Sequence, residues 1–595
     1  MQALKALFPY LRRYQLSIAL GLVSVLVANL LSVGSTEAVK HALDAMARAG
    51  ATRGEVGRWA AASAGLAVLA GAGRFWMRQN LNSVSRWVEL DLRDDFFAHL
   101  LRLDAPFYNG TPTGEVMSRA TNDLQAVRMV AGPAYMYLVN TIVFGLMAIT
   151  RMVLIDPWMT VLALIPMLLL PPVTTFFGKL IHDQSEGIQA QLGIISTMAQ
   201  ENLAGQRIVK AYGQEAAQSA RFTELARESM RLNVRLARTS GLFYPSLTLL
   251  AGLAMALALG LGGRAILAGR ITVGDFVIFL LYLGQLSFPM IALGWVVSLF
   301  QRGAASMGRV SQILETRPVI ADAPDARGPE QVRGEIEFRD VWFRYPGTER
   351  DVLRGVSFRA PAGSTVALVG PTGSGKSTVV SLLARLYDPT RGEVRVDGVA
   401  VREWPMAQLR SAVALVPQDT FLFSATIGEN LALGFDEADP ERRLQRVRGA
   451  ARVAQLEQTV AELPGGYETV LGERGINLSG GQKQRAALAR AVARDAPMLV
   501  LDDALSAVDT QTEHEILGGL RGVFAGRTSV IVSHRVAAVM DADLILVLDD
   551  GELVERGTHA ELLRAGGVYA ALQRRQLLEA QVQGDDLLAG ASGAV

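Results

Sequence analysis

The sequence predicts two parts of different fold class. The first is an α-helical membrane domain of six transmembrane helices with long cytoplasmic helices, and the second is an α/β domain of the P-loop type. Three observations predict this arrangement: long apolar stretches lie before about residue 300, strands alternate with helices after about residue 330, and a glycine-rich loop follows one of those strands.

The composition supports a membrane protein and argues against several other classes. Half of the residues are hydrophobic and only 19% are charged, where a soluble protein carries roughly 25%. The formal net charge is +1, without a basic tail, so no nucleic-acid partner is expected. The chain has no cysteine, which excludes disulfides and thiolate metal sites.

Six apolar stretches are long enough to cross a bilayer, whose core of about 30 Å requires about 20 helical residues. None of them shows the polar face expected of a core helix in a soluble protein, which is the alternative explanation. The second is marginal because it is rich in Ala and Gly. The six stretches are approximately 15–36, 58–77, 132–152, 157–179, 241–263 and 275–300.

The charges between the spans predict the orientation. Arg12 and Arg13 precede an apolar run that is too long for a signal peptide, so the N-terminus is expected in the cytoplasm. The long segments 78–131 and 180–240 are rich in arginine and fall on the same side. Six spans also return the second half of the chain to the cytoplasm. The expected location is a bacterial inner membrane, with multiple spans in contact with membrane lipids.

A few polar residues interrupt the spans, among them Asn29, Asn140 and Gln285. Such residues can line a substrate path, but interhelical hydrogen bonds are the favoured interpretation. The spans otherwise read as apolar, without a charge pair that would indicate a particular headgroup. The identity of a substrate therefore stays open.

The domain boundaries follow from composition. The membrane domain is expected over 1–318, a linker rich in Pro, Ala and Asp over 319–333, the α/β domain over 334–572 and a C-terminal tail over 573–595. Alternating strands and helices after the linker predict a largely parallel sheet.

The stretch "GPTGSGKST" follows the apolar strand "TVALV" and matches a phosphate-binding loop. Its glycines allow backbone N–H groups to surround phosphates at a helix N-terminus. Lys376 is expected to reach the β- and γ-phosphates and Ser377 to ligate Mg²⁺. The loop residues assigned to nucleotide binding are Gly370, Pro371, Thr372, Gly373, Ser374, Gly375, Lys376, Ser377 and Thr378.

Two adjacent acids end a second apolar strand, "MLVLDD". Asp502 is expected beside the phosphate-binding loop, where it would hold Mg²⁺ directly or through water. Asp503 occupies the position of a catalytic base. His534 ends the next strand, "TSVIVSH", and could donate a hydrogen bond to the γ-phosphate.

"LSGGQ" at Leu478, Ser479, Gly480, Gly481 and Gln482 resembles the signature motif of ATP-binding cassette (ABC) ATPases. The resemblance covers the α/β domain and implies ATP and Mg²⁺ as cofactors. It implies that Tyr345 stacks on adenine, that Gln418 acts in both catalysis and metal binding as the Q-loop, and that Glu473 belongs to the X-loop and Asp509 to the D-loop.

The first half resembles the exporter-type membrane domain of the same family. Phe107–Asp123 and Glu201–Glu215 look like its two cytoplasmic coupling regions. The resemblance implies ATP-driven export by alternating access. It also implies that ATP lies between the phosphate-binding loop of one cassette and the signature of another, so two chains are needed.

Asp503 stands where family transporters usually carry glutamate. The shorter side chain withdraws the carboxylate by roughly an ångström, which can lower a rate on the order of 100-fold. With an intact signature, this resembles one half of a heterodimeric exporter, whose partner chain supplies the catalytic glutamate. The alternatives are a homodimeric lipid or multidrug flippase that uses Asp503 as its base, and a non-transporting ATP-gated regulator or channel. Amphipathic drugs, lipids or peptides are the expected substrates.

Overall fold

The computed structural model describes residues 2–48, 50, 52–472, 475 and 478–578. Glu473 and most of the predicted tail lie outside the described residues. The described residues of Met1–Arg102 and Thr111–Thr316 form one compact unit, here the membrane unit. Those of Leu103–Gly110 and Arg317–Val595 form the other, here the α/β unit.

Within the described residues, six helical stretches of the membrane unit are long and apolar enough to cross a bilayer, which confirms the predicted fold class. The mean hydropathy of their most apolar windows runs from 1.2 to 2.3, and the lowest value belongs to the Ala- and Gly-rich second stretch. The six are Gln15–Ala47, Arg53–Leu100, Thr113–Ile155, Pro157–Ala204, Glu215–Leu267 and Val273–Glu315.

These helices extend well beyond the apolar stretches. Arg53–Leu100 has 48 residues, which gives about 70 Å at 1.5 Å per residue, more than twice a bilayer core. The surplus combines a buried apolar face with most of the charged residues of the helix, as expected for a long helix that continues outside the membrane.

Local sequence sets where the helices begin. Asp156 accepts a hydrogen bond from the Met159 amide at 3.0 Å and precedes Pro157, so a capping side chain and a proline at the first position start the fourth stretch. Thr272 and Asp275 form a reciprocal capping box that starts the sixth.

Several stretches consist of shorter segments. The third comprises Thr113–Ser118, Leu124–Met129 and Tyr135–Ile155, joined by wider π turns at Arg119–Asp123 and Val130–Ala134. The fourth divides into Pro157–Leu168 and Leu170–Ala204. Further short helices before and between the long ones are Gln2–Leu7, Phe8–Arg13, Ala105–Gly110 and Gln206–Ala211.

The α/β unit contains two sheets. An antiparallel sheet has the order β2-β1-β4-β5, and a six-stranded sheet has the order β10-β9-β3-β8-β7-β6, in strand numbers that follow the chain. The strands are β1 Ile336–Phe343, β2 Leu353–Ala360, β3 Thr365–Val369, β4 Arg391–Val396, β5 Val399–Ala400, β6 Val413–Val416, β7 Met498–Asp502, β8 Thr528–Val532, β9 Leu544–Asp549 and β10 Glu552–Gly557.

The central strands are buried on both faces. Leu499 and Leu501 of β7 belong to one apolar cluster, while Met498 and Val500 belong to another on the opposite face. Helices contribute to both clusters, as expected for a parallel sheet. The helices of this region are Lys376–Leu383, Val401–Glu403, Met406–Ser411, Ile427–Ala432, Pro440–Val453, Glu457–Ala461, Gly466–Glu468, Gly480–Arg494, Thr510–Phe524, Val536–Ala538 and His559–Ala565, and a further helix is described over 568–578.

Candidate functional site

The candidate site lies at one edge of the six-stranded sheet. β3 pairs in parallel with β8, β8 with β7, and β7 with β6. Their carboxyl ends therefore meet at the same edge, where ligands bind in open α/β sheets. The residues that follow these ends are the glycine-rich loop, His534, the Asp502–Asp503 pair and Gln418.

At two positions of the loop after β3, only glycine fits the backbone conformation and the space available. Gly375 has φ of 99°, and a Cβ there would lie 2.6 Å from Leu353. A Cβ on Gly370 would lie 2.0 Å from the carbonyl oxygen of Leu548. The chain then enters the helix Lys376–Leu383, whose first residues Lys376, Ser377 and Thr378 line the cavity, and a helix N-terminus favours an anion.

A cavity of about 200 Å³, here the loop cavity, is lined by most of the predicted residues. Val352 and Val532 add an apolar edge that the sequence did not indicate. The predicted residues that line it are Thr372, Gly373, Gly375, Lys376, Ser377, Thr378, Gln418, Asp502, Asp503 and His534.

Lys376 is held inside the loop. Its Nζ donates to the carbonyl oxygens of Gly370 at 2.8 Å and Pro371 at 2.7 Å. Burial lowers the pKa of Lys376, while the charges of Asp503 and Asp502 oppose that shift. A polyanion in the cavity would favour the charged amine, so the site is suited to phosphate.

Asp502 lies at the base of the cavity and is only 6% exposed. Ser377 Oγ donates to its Oδ1 at 3.0 Å. Burial raises the pKa of Asp502; the Ser377 hydrogen bond and Lys376 lower it, while the neighbouring Asp503 raises it further. A hydroxyl and a carboxylate this close form an oxygen donor pair that fits Mg²⁺, which takes few protein ligands beside phosphate oxygens.

Asp503 is oriented differently from its neighbour. Its φ of +49° turns the chain at the end of β7, and its amide donates to the carbonyl of Val532 at 2.9 Å. Its Oδ1 lies 2.9 Å from His534 Nδ1, so an Nδ1–H tautomer of the imidazole donates to this carboxylate. The pair faces the cavity and can act on a water molecule there.

The signature residues form the start of another helix. Ser479 caps Gly480–Arg494 in a capping box with Gln482. A Cβ on Gly481 would lie 2.7 Å from the carbonyl of Ala507, and Gln484 exchanges two hydrogen bonds with Ser506 and Ala507. Among the described residues, the signature is absent from the lining of the loop cavity.

Tyr345 stands beside the loop rather than in the cavity lining. Its hydroxyl lies 3.1 Å from Thr378 Oγ1, and its ring packs edge-on against Phe343 at 4.8 Å and Tyr387 at 5.3 Å. Tyr387 in turn accepts a hydrogen bond from Asn109 in the segment Leu103–Gly110. The aromatic group is thus fixed next to the phosphate-binding loop.

Sequence reasoning missed residues that hold His534. Gln576 accepts a hydrogen bond from the Val536 amide at 2.9 Å and donates to the carbonyl of His534. Arg535 pairs with Glu513 and donates to the carbonyl of Ser506 at 3.3 Å. The sequence predicts a tail from residue 573, whereas the structure has a helix over 568–578 that contains Gln576 and carries apolar residues at helical spacing.

The membrane unit contains a cavity of about 300 Å³ with both apolar and polar lining residues. Asn29 Nδ2 donates to Asn140 Oδ1 at 3.0 Å, so these two residues form an interhelical hydrogen bond, which is the interpretation that the sequence favours. Both also line the cavity, together with Gln285, Arg74 and Arg78. The sequence predicts no charge pair inside the spans that would indicate a headgroup, and the cavity adds Arg74, a single cation within the second apolar stretch.

Two family models match the chain. Residues 18–290 match the ABC transporter transmembrane region, and residues 353–506 match the ABC transporter family. A solved structure described as a bacterial Atm1-family ABC exporter with ATP bound matches with a TM-score of 0.75 and 32% identity, covering 94% of this chain and 99% of that chain.

Curated relatives match over nearly the full length. The chain is 36% identical over 583 residues to the probable multidrug resistance ABC transporter ATP-binding/permease protein YheI of Bacillus subtilis, covering 97% of this chain and 98% of that protein. It is 35% identical to the multidrug resistance-like ATP-binding protein MdlA of Escherichia coli, with coverage of 96% and 95%. An ATP-dependent lipid A-core flippase of Chromohalobacter salexigens is 35% identical, with coverage of 87% and 88%.

Proposed function

This chain belongs to the ABC transporter family as an exporter with an ATPase domain, and we propose that it moves amphipathic drugs, lipids or peptides across a bacterial inner membrane by alternating access. Its N-terminus and α/β unit face the cytoplasm in this proposal. The observation that carries it is the loop cavity, which unites a phosphate-binding loop and a carboxylate–imidazole pair in a chain with six membrane-spanning stretches. The names of the relatives, which include multidrug and lipid transporters, support the substrate range.

In this proposal, different residues around the loop cavity perform different steps of ATP binding and hydrolysis. The loop amides and Lys376 bind the phosphates, and Tyr345 stacks on the adenine. Ser377, Gln418 and Asp502 would hold Mg²⁺, which when bound neutralises charge on the phosphate oxygens. Asp503 accepts the proton of the attacking water, and His534 orients that carboxylate and contacts the γ-phosphate.

The complete site requires a second chain. In this proposal the signature that begins at Leu478 closes over ATP bound to the loop of a partner, because the two features are separate within one chain. Asp503 is one methylene shorter than the glutamate usual in the family, so the site around it hydrolyses slowly. We therefore assign this chain to a heterodimer in which a different half-transporter supplies the catalytic glutamate.

The ATPase rate of the purified full chain in lipid nanodiscs tests the proposal. We expect slow turnover for the chain alone and a rise when the partner that copurifies from the native host is present. Because a well-placed base contributes about 10²–10⁴-fold, the difference should be large. Turnover by the chain alone that equals that of the pair would contradict the heterodimer.

A homodimeric lipid or multidrug flippase is the second candidate. The observation that favours it is the 2.9 Å contact between Asp503 and His534, which gives the short carboxylate a partner inside the cavity. In that case Asp503 serves as a working base in two identical sites. Export of substrate from vesicles that contain this chain alone would establish it.

A further inference from the structure

The cavity of the membrane unit is lined by two arginines, one inside the second apolar stretch and one just after it. Arg74 lies within the apolar stretch 58–77 and donates to Ser32 Oγ at 3.0 Å, and Ser32 lies within the apolar stretch 15–36. Arg78 follows one helical turn later on the same face and lines the same cavity of about 300 Å³. The cavity lining contains neither Asp nor Glu among the described residues.

Neither guanidinium has a carboxylate partner within ion-pair distance in the described part of the chain. Other arginines of this unit do have one. Arg151 pairs with Glu37 at 2.6 Å, and Arg270 pairs with Asp156 at 3.2 Å. Arg151 and Arg270 therefore link helices to one another, whereas Arg74 and Arg78 line the cavity without such a carboxylate in the described part of the chain.

Unpaired cations inside a bilayer are unfavourable, and ionisable residues there usually serve function. Arg74 has only a neutral hydroxyl as a side-chain partner. A guanidinium prefers planar anions, since it binds carboxylate or phosphate with two parallel hydrogen bonds. An anionic group in the cavity would therefore remove the electrostatic penalty.

The rest of the lining is suited to an amphiphile. Met77, Phe144 and Phe288 supply apolar surface, while Asn29 and Asn140 supply amides on another side. A small apolar ligand would leave the arginines unpaired, and a soluble anion would leave the apolar surface unused. A molecule with an anionic head and an apolar body satisfies both parts.

We propose that Arg74 and Arg78 bind the phosphate or carboxylate head of an anionic amphiphile, whose apolar body lies against Met77 and Phe144. The inference rests on the proposed function, export of amphipathic molecules; it adds that this cavity belongs to the substrate path and names the class of substrate. The ligand can be a membrane lipid or an amphiphile delivered from water, since both present the same chemistry.

Binding without nucleotide tests the site separately from transport. The full chain is placed in phosphatidylcholine nanodiscs, and displacement of dansyl-labelled dodecyl phosphate is measured with dodecyl phosphate, dodecylphosphocholine and dodecyltrimethylammonium. We expect dodecyl phosphate to bind about tenfold tighter than the other two. Equal affinity for the three heads would overturn the inference.

The variants supply the residue-level test. Arg74→Gln and Arg78→Gln should each weaken dodecyl phosphate binding about tenfold, while Arg74→Lys and Arg78→Lys retain the preference for the anionic head. Arg58→Gln is the matched control, because Arg58 lies on the same helix and is as exposed as Arg74 and Arg78 but is absent from the cavity lining. Unchanged binding in both Gln variants, or equal loss in the Arg58 control, overturns the inference.

Two further readouts separate the sources and the hypotheses. If phosphatidylglycerol in the nanodisc competes with the labelled probe, the membrane supplies the ligand. If phosphatidylglycerol does not compete while dodecyl phosphate still binds, the ligand comes from water. Both results support recognition of an anionic head. Charge-selective binding without export from vesicles would contradict the proposed function and leave this site standing. Export that ignores head charge would overturn this inference and leave the proposed function standing.

Discussion

At the scale of single residues, the adjacent acids Asp502 and Asp503 have opposite surroundings. Asp502 is 6% exposed and receives the Ser377 hydroxyl, whereas the Asp503 side chain is 19% exposed and contacts His534. The left-handed backbone at Asp503 produces this difference by turning its side chain away from the strand direction. These surroundings support the proposed division of roles, in which Asp502 holds Mg²⁺ and Asp503 acts on water.

The length of the side chain at position 503 should limit hydrolysis. Asp503→Glu extends the carboxylate by roughly an ångström and should raise kcat for ATP on the order of 10- to 100-fold, with little change in KM. The measurement is steady-state ATPase activity of the full chain in nanodiscs, alone and with its partner.

Asp503→Asn is the matched control, since it keeps the shape and removes the base. It should abolish the residual activity while ATP still binds. Glutamate is less tolerant of a positive φ than aspartate, so a small loss of thermal stability in the Glu variant is also expected. An unchanged rate in both variants would mean that another group limits turnover.

Burial of Asp502 should make the nucleotide-free chain less stable than it would be without this charge. Its folded pKa is raised, mainly by burial, so the native state holds the proton more tightly than the unfolded state. The free energy of unfolding then falls as pH rises from the ordinary carboxyl range through the raised pKa. Asp502→Asn should raise the melting temperature at neutral pH by on the order of 2 °C and flatten this pH dependence.

Thermal unfolding of the full chain across pH 4–8 without nucleotide measures this effect. Asp503→Asn serves as the comparison, because its carboxylate is more exposed and is paired with His534. A lower melting temperature for Asp502→Asn at neutral pH would show that the ionised carboxylate stabilises the empty site.

At the scale of elements, the segment Leu103–Gly110 belongs to the α/β unit although it interrupts the membrane unit in sequence. Asp104 accepts hydrogen bonds from the amides of Val319 at 2.6 Å and Ile320 at 2.9 Å, and Asn109 donates to Tyr387. The expected coupling region Phe107–Asp123 therefore includes residues of both units.

The helix at 568–578 should affect catalysis through His534. Gln576→Leu removes both hydrogen bonds to the backbone around His534 and should lower kcat roughly 3- to 10-fold with a small change in KM. Steady-state ATPase activity measures it, with Arg574→Ala as the control because Arg574 is exposed on the same helix. Equal effects of the two substitutions would indicate a general loss of helix stability.

At the scale of the whole molecule, one chain contains both a loop cavity and a signature motif. Within the described residues, the signature motif does not line that cavity. Because the sequence has no cysteine, introduced cysteines report only on the pairing of the chosen positions. This makes the identity of the second subunit directly accessible.

A pair of cysteines should distinguish the two assemblies. In a chain with Thr372→Cys and Ser479→Cys, a homodimer would form ATP-dependent crosslinks between identical subunits under mild oxidation. The heterodimer proposed above predicts that crosslinks form only when a partner with the corresponding cysteines is added. Non-reducing gel electrophoresis measures the result.

The single-cysteine variants are the controls, since each should give only ATP-independent background. ATP-dependent crosslinking in the chain alone would contradict the heterodimer and support the flippase alternative. Crosslinks that require the partner would contradict the homodimer.

The sequence by itself determined the six spans and the α/β character of the second half. Both are local properties: a run of about 20 apolar residues defines a span, and alternating strands and helices define a parallel sheet. It also indicated that the phosphate-binding loop and the side chains at the strand ends lie together, because parallel strands bring their carboxyl ends to one edge. The glycines of the loop motif also have a structural reason, since Gly370 and Gly375 occupy positions where a side chain does not fit.

Only the tertiary structure decided which distant residues meet. Arg74 reads as a minor interruption of an Ala-rich span until helix packing brings it to Ser32 and into a cavity with Asn140. Gln576 reads as part of a tail until its helix reaches the carbonyl of His534. Such contacts depend on how each helix is rotated and packed, which apolar length and motif spacing leave undetermined.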